Sequence, residues 1–308
     1  MHNSAPIVRY FYSPSCPESY ATLDRLSVLF KKLPVIFESF NFLAGEIRSE
    51  HPFFEGEKSL LATRESGEGA ALLLGKLYLN GQEVAGFPPS PKDLMEKMLA
   101  LGLSFDPNKY RIIYQARPDI KGPQKTNRKI RMEFYRKDNL ENLARLCTRH
   151  HPYIMPGDYR EEEWRPHEEK RRDFVRGLLQ CGDIIGVIAF DGPEEAGFIE
   201  GFPLLLARKM GYPVSTGSFP ENSKAVMVTC LSIRTEYKGR GVAVSLLEAF
   251  EAEASRQGKV CVEVLAFPDK LGRGWQPASF YRKRGYESIR KVQGLDLMQK
   301  QLQARGMP

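Results

Sequence analysis

The clearest hydrophobic pattern in the chain runs from Ala225 to Phe250. In AVMVTCLSI, Val226, Val228 and Cys230 alternate with Met227, Thr229 and Leu231, and both sets are apolar or small. That predicts a strand covered on both faces. Ala243, Leu246, Leu247, Phe250 and Ala254 then recur at helical spacing, with Glu248, Glu251, Glu253 and Arg256 on the opposite side. A second β-rich run, VCVEVLAF (260–267), completes a strand–helix–strand unit. Upstream, IRMEFYR (130–136) predicts a strand, and Asp138 is placed to cap a helix carrying Leu140, Leu143, Leu146 and Cys147. A highly charged helix from about Arg160 to Cys181 follows. DIIGVIAFDG (183–192) and EEAGFIEGFPLLLA (194–207) predict an antiparallel strand pair.

Between the strand and helix of the first run lie Lys238, Gly239, Arg240, Gly241, Val242 and Ala243. Two glycines and two cations at a helix start supply free amides, local positive charge and the positive end of the helix dipole. These suit a polyphosphate. The spacing is neither the GxxxxGK[ST] loop of nucleoside triphosphatases nor a full GxGxxG. KGRGVA instead resembles the (Gln/Arg)-x-x-Gly-x-(Gly/Ala) signature of the GNAT acetyltransferases, with Lys238 in the first position, Gly241 in the central one and Ala243 in the last. The resemblance implies that these amides hold the diphosphate of acetyl-CoA and that the strand at Leu231, Ser232 and Ile233 pairs with the pantetheine arm. PASFYRKRGY (277–286) resembles the family's later motif, A-x-x-F-Y-x-x-x-G-(F/Y), through Phe280, Tyr281, Gly285 and Tyr286, whereas Gly274 to Pro277 stand where the family carries Asn and Ala. By that resemblance Tyr281 protonates the departing thiolate. The likeness covers about residues 129 to 301, and a GNAT mixed-sheet domain is expected over 129–308.

Direct attack on a thioester needs a neutral amine, hence a base. Glu200 in AGFIEGFP and Glu263 in VCVEVLAF are the candidates, because each sits in an apolar run where burial would raise its proton affinity; a solvated or salt-bridged glutamate is the alternative for each. Cys230 and Cys261 fall on the two strands that flank the cofactor in the family, where they could approach each other or simply fill the core. The acceptor is left open. The glutamates at 161, 162, 163, 168 and 169 suit either a cationic amine, such as a polyamine, an aminoglycoside or a lysine side chain, or a solvated face. Residues 204–224 read as an inserted loop over the acceptor site.

The first 104 residues form a different pattern. IVRYFYSPSCPESY (7–20) goes from a β-rich stretch through a turn into a helix striped by Tyr20, Leu23, Leu26 and Phe30; a strand at 35–42, a hairpin around Asn80-Gly81 and a helix ending near Gly102 follow. This order resembles a thioredoxin-like fold, and Cys16-Pro17-Glu18-Ser19 resembles its single-cysteine C-x-x-S site. A thiol at a helix start is activated by the dipole. Yet Ser19 cannot resolve a mixed disulfide, Glu18 opposes the thiolate, and ALLLGKLYL (71–79) lacks the proline that faces the cysteine in that family. Residues 105–128 read as a linker, the stretch from 117 being rich in proline, glycine and cations.

Composition narrows the classes further. The chain has 308 residues, enough for two domains, with 42% hydrophobic and 27% charged residues and a net charge of +7. The positive balance suits an anionic cofactor; no aromatic–basic RNA motif or helix–turn–helix signal points to nucleic acid. No apolar stretch reaches a membrane span, and Arg9 interrupts the first apolar run, against a signal peptide. Five scattered cysteines, without metal or redox spacing, point to a reducing, cytoplasmic setting and to no metal. The expected architecture is α/β, a thioredoxin-like unit followed by an acetyltransferase acting on a small-molecule or protein amine, compatible with a homodimer. Two other classes stay open: a non-catalytic acetyl-CoA sensor, and a thiol-redox protein working through Cys16.

Overall fold

The computed structural model describes residues 5–12, 22–23, 26–27, 29–41, 76–84, 91–103, 130–149, 161–209, 212, 214–215, 224–269, 276–292 and 295–302. Cys16 and its C-x-x-S setting, and the stretch read as a linker, lie outside the described residues. The described residues build two sheets. The smaller contains β1 (Ile7–Tyr12), β2 (Ile36–Asn41), β3 (Leu77–Leu79) and β4 (Gln82–Val84), in the order β2-β1-β3-β4. The first two strands are parallel, with Ile7 opposite Ile36. A parallel pair needs a crossover, and Thr22, Leu23, Leu26, Ser27, Leu29 and Phe30 within it are helical. Asn80 and Gly81 both have positive φ, at 47° and 79°, and close the β3–β4 hairpin.

Helix α1 (Pro91–Ala100) lays Leu94 and Met98, one turn apart, onto Val8, Tyr10, Leu26, Phe30 and Leu77. It ends as its sequence predicts. Gly102 takes φ 71°, its amide bonds Leu99 O at 3.0 Å, and the Leu103 amide bonds Met98 O at 2.9 Å, the paired bonds of a left-handed glycine stop.

The larger sheet has seven strands. In chain order these are β5 (Arg131–Phe134), β6 (Ile185–Asp191), β7 (Glu194–Pro203), β8 (Ala225–Ile233), β9 (Cys261–Ala266), β10 (Glu287–Val292) and β11 (Leu295–Gln301); in space they run β10-β11-β9-β8-β7-β6-β5. All neighbours are antiparallel except β8 and β9. Alternation along the central strands feeds two cores. On one face α5 (Val242–Arg256) packs Leu246, Leu247, Phe250 and Ala254 against Val187, Ile199, Val226, Val228, Val262 and Val264. On the other, α2 (Leu140–Arg149) and α3 (Glu161–Cys181) pack Leu143, Leu146, Cys147 and Val175 against Ile188, Phe198, Phe202, Met227 and Cys261. A short helix, α4 (Leu204–Lys209), follows β7 on that second face with Leu204 and Ala207 buried, so the insertion read as a loop begins as packed helix.

Two local expectations change. Asp138 is exposed and caps nothing; the neighbouring Asn139 fixes the turn out of β5, accepting from the Arg136 amide at 2.9 Å and donating to Phe134 O at 2.8 Å. Of the acidic residues on α3, Glu168 accepts a hydrogen bond from Thr148 and Glu169 lies exposed, 3.9 Å from Arg165. Glu168 thus ties α3 to α2, whereas Glu169 faces solvent.

Gly201 shows how closely the layers approach. A Cβ there would lie 2.4 Å from Met227 O and 2.7 Å from Phe250 Cζ, so both the backbone of β8 and the ring from α5 would have to shift. Gly201→Ala should lower the urea-unfolding free energy by about 2–3 kcal/mol; an unchanged midpoint would mean that β7 can move away freely.

Candidate functional site

Strands β8 and β9 pair over only four positions, from Ala225 opposite Cys261 to Val228 opposite Val264. Beyond them β8 continues to Ile233, held on its other side by β7, while Leu265 and Ala266 of β9 keep β11 as their strand partner. The parallel pair therefore opens into a gap. Its cause lies in the β7–β8 register, where Glu200 faces Cys230 and Gly201 faces Val228, leaving Thr229 as an extra residue. Such a bulge bends its strand and ends regular pairing. β7 follows the bent stretch at close range: a Cβ on Gly197 would lie 2.6 Å from Ser232 O. Among the described residues, Leu231, Ser232 and Ile233 thus present one side of their backbone to the gap without a strand partner.

The free stretch of β8 leads into a short 3-10 turn (Thr235–Tyr237) and then the glycine turn. Gly239 and Gly241 have φ of 76° and 80°, a conformation that side-chain-bearing residues avoid. Among the described residues no backbone carbonyl accepts from the amides of Gly239, Gly241, Val242 or Ala243; the first carbonyl of the helix, Gly241 O, accepts from Val244 and Ser245. These amides sit at the positive end of a 15-residue helix. Lys238 is exposed beside them, whereas the Arg240 guanidinium lies 5.1 Å from the Tyr237 ring. All nine residues expected to hold the cofactor fall on this one path from the gap to the helix start.

The other wall leads from β9 to Tyr281. Phe267 pairs with Pro277, and α6 (Ala278–Arg282) starts there, its Ser279 amide bonded to Asp269 at 2.8 Å. Tyr281 is 4% exposed, edge-on to Phe280 and Tyr286 at ring distances of 5.1 and 5.4 Å. Gly285 takes φ 82°, and the Tyr286 amide returns to Tyr281 O at 3.2 Å, so the G-Y of the motif is the stop of this helix and fixes the tyrosine backbone. Burial pushes the Tyr281 phenol well above its ordinary range, and charge on Cys230 would push it further. Tyr281 and Cys230 of β8 are therefore electrostatic neighbours.

Neither candidate base is a free carboxylate. Glu200 is buried, ion-paired with the buried Arg171 of α3, and accepts the Tyr135 hydroxyl at 3.1 Å. Glu263 is fully buried and accepts the Ser215 amide at 3.0 Å, the Ser215 hydroxyl, and Gln299 Nε2 at 3.2 Å. A charge removed from water is retained only when it is compensated in this way. Burial and the Glu200 charge hold the Tyr135 phenol well above its usual range, and burial pushes the Cys147 thiol to about 11. Arg171 was not foreseen, although Phe174, Val175 and Leu178 lie three, four and seven residues beyond it and mark the face on which it is buried.

Cys230 and Cys261 do not meet. Cys261 pairs opposite Ala225, five residues before Cys230, or about 16 Å along the strand. Burial pushes the Cys261 thiol to about 12. Among the described residues no group of three or more His, Cys, Asp or Glu could hold a metal ion, and no helix is long and apolar enough to cross a membrane.

No family model matches the chain, and no curated protein matches it. Among solved structures it is similar to the PaiA N-acetyltransferase of Thermoplasma acidophilum with coenzyme A, at 19% identity over 56% of this chain and 99% of that one, TM-score 0.39. It is similar to the GNAT family N-acetyltransferase YhbS of Escherichia coli with CoA, at 14% identity over 59% and 88%, TM-score 0.39. A third is an acetyltransferase from Thermus thermophilus, at 14% identity over 56% and 97%, TM-score 0.38. At these scores the likenesses carry no functional weight.

The Glu200–Arg171 pair has a measurable signature. Arg171→Met leaves a buried carboxylate uncompensated and should cost about 3–5 kcal/mol in urea unfolding. Adding Glu200→Leu should restore most of the loss. A double variant no more stable than the single one would show that packing, not charge compensation, is what Arg171 supplies.

Proposed function

We propose that the chain is an N-acetyltransferase that takes acetyl-CoA in the gap between β8 and β9 and passes the acetyl group to an amine. The observation that carries this reading is the separation of the larger sheet's one parallel strand pair, leading to a helix start with two left-handed glycines. The residues fit an extended ligand with an anionic end. The backbone of Leu231, Ser232 and Ile233 can pair with the amides of a pantetheine arm as an added strand does. The amides of Gly239, Gly241, Val242 and Ala243, with Lys238, suit a diphosphate.

In the reaction, acetyl-CoA supplies a thioester carbonyl, and a backbone N–H of the free β8 stretch polarises it. The neutral amine attacks, the C–S bond breaks, and the proton lost by nitrogen balances the one gained by sulfur. Tyr281 holds its proton tightly because it is buried. It therefore stabilises the departing sulfur by donating a hydrogen bond and keeps its proton. Glu200, held by Arg171, is a structural carboxylate in this reading, and the amine arrives already neutral.

The same reading assigns residues 129–308 to the transferase, 105–128 to a linker and 1–104 to a thioredoxin-like unit. The parallel β1–β2 pair, the hairpin and the β2-β1-β3-β4 order support the last assignment. That unit would recognise or present the substrate.

Gly241→Glu tests the cofactor. Gly258, at the other end of α5, has φ 75° and, like Gly241, nothing within 4 Å of a Cβ, so Gly258→Glu carries the same backbone strain away from the turn. Calorimetry should show acetyl-CoA binding in the wild type and in Gly258→Glu, and none in Gly241→Glu; equal loss in both would reduce the effect to strain.

Tyr281→Phe tests the chemistry. It should lower kcat by about 10²-fold or more, with acetyl-CoA affinity within twofold. Burial raises the phenol pKa, so its protonated form persists to at least the ordinary value of 10.0, and wild-type kcat should not fall between neutral pH and that point. Tight binding with no transfer to any amine would favour a sensor instead.

A further inference from the structure

Glu263 is buried at the centre of the sheet, yet its strongest partner comes from outside the sheet. Ser215 donates both its amide, at 3.0 Å, and its hydroxyl to the two carboxylate oxygens, and Gln299 on β11 completes the shell at 3.2 Å. Val214 and Tyr212 are also tied down. Val214 is buried in the core that contains Met227, Cys261 and Leu297, and its carbonyl accepts from Arg290 on β10 at 2.8 Å. Tyr212 bonds Ala207 O through its amide at 2.9 Å, and its hydroxyl lies 3.5 Å from the carbonyl of Thr229, the bulged residue where the gap begins. These three residues therefore touch β8, β9 and β10 on the face opposite α5, the helix whose start receives the diphosphate in the reading above. A ligand entering from the α5 side leaves that opposite face for the acceptor.

Resting on that reading, we propose that Glu263 is a positioning residue: it pins Ser215, and with it Val214 and Tyr212, as the wall that keeps water from the thioester on the acceptor side of the gap. A carboxylate suits the task because it accepts all three hydrogen bonds at once. Glutamine has the same size but turns an NH2 donor toward the Ser215 amide in one orientation and toward the Ser215 hydroxyl and Gln299 in the other, so Glu263→Gln keeps the volume and breaks the pin. Ser215→Ala removes one of the bonds and leaves Glu263 in place.

The test uses the full chain and acetyl-CoA with no amine added. Free CoA thiol is measured with a thiol-reactive dye, and the Kd for acetyl-CoA by calorimetry. Hydrolysis, in which water takes the acetyl group and CoA leaves as the thiol, should rise about three- to tenfold in Glu263→Gln and less in Ser215→Ala, with Kd within twofold of wild type. A residue that only stabilises the fold would weaken binding and hydrolysis together. Unchanged hydrolysis in variants that bind acetyl-CoA normally overturns this proposal alone. A wild type that binds no acetyl-CoA overturns the acetyl-CoA reading, and this proposal with it. Should Glu263→Gln fail to fold, Ser215→Ala decides by the same two readouts.

Discussion

The gap between β8 and β9 depends on one extra residue. Thr229 has no opposite number on β7, and from that point β8 bends away from its parallel neighbour. Opening a sheet at its centre strands backbone groups that would otherwise be hydrogen-bonded, at a cost of about 1–3 kcal/mol for each one kept from water. The molecule tolerates the opening because each strand stays paired on its far side, β8 with β7 and β9 with β11. Gly197 and Gly201 let β7 follow the bent strand closely where any side chain would strike its carbonyls. The same departure carries β8 directly to the glycine turn, so the strand that loses its partner also delivers the chain to the start of α5.

Around this opening the buried carboxylates are ion-paired or hydrogen-bonded in place. Glu200 has Arg171 and Tyr135, Glu263 has Ser215 and Gln299, and Glu195 has Arg145 and Asn142. Burial opposes the Arg171 charge, but Cys147, Glu200 and Tyr135 together raise its proton affinity beyond the ordinary guanidinium value. Cys147 and Tyr135 shift upward as well. Those three groups keep one protonation state across the neutral range, with guanidinium charged and thiol and phenol neutral.

Much of this was legible in the sequence where the signal is local. Alternation gave β8, helical spacing gave α5, and the glycines of KGRGVA marked a turn that requires positive φ. The later motif was legible for the same reason: Gly285 and Tyr286 form the stop that ties the Tyr281 carbonyl. Asp138 was misplaced by a single residue, because a carboxylate and an amide both cap helices and only the fold puts Asn139 within reach of Phe134 O and the Arg136 amide. The two carboxylates, for which both a base and a salt-bridged glutamate stood open, were legible only in part. Their burial was evident from apolar surroundings, but their partners lie 29 and 48 residues away in the chain, and no pattern within a strand announces them. The position of β11 between β9 and β10 was equally hidden, since hydrophobic alternation says which residues are buried and nothing about which edge a strand joins.

That last feature sets an order of assembly. β11 is made after β10 yet lies nearer the centre of the sheet, against β9 from Asp296 opposite Ala266 to Gln301 opposite Cys261. On a ribosome, β9 would emerge with a bare edge and stay so until residues 295–301 had left the exit tunnel. Glu263 would lack Gln299 for the same interval. The β9 side of the gap therefore gains its outer partner only when the last strand has been made, and a chain interrupted before Leu295 would expose β9 as an unpaired edge open to neighbouring molecules.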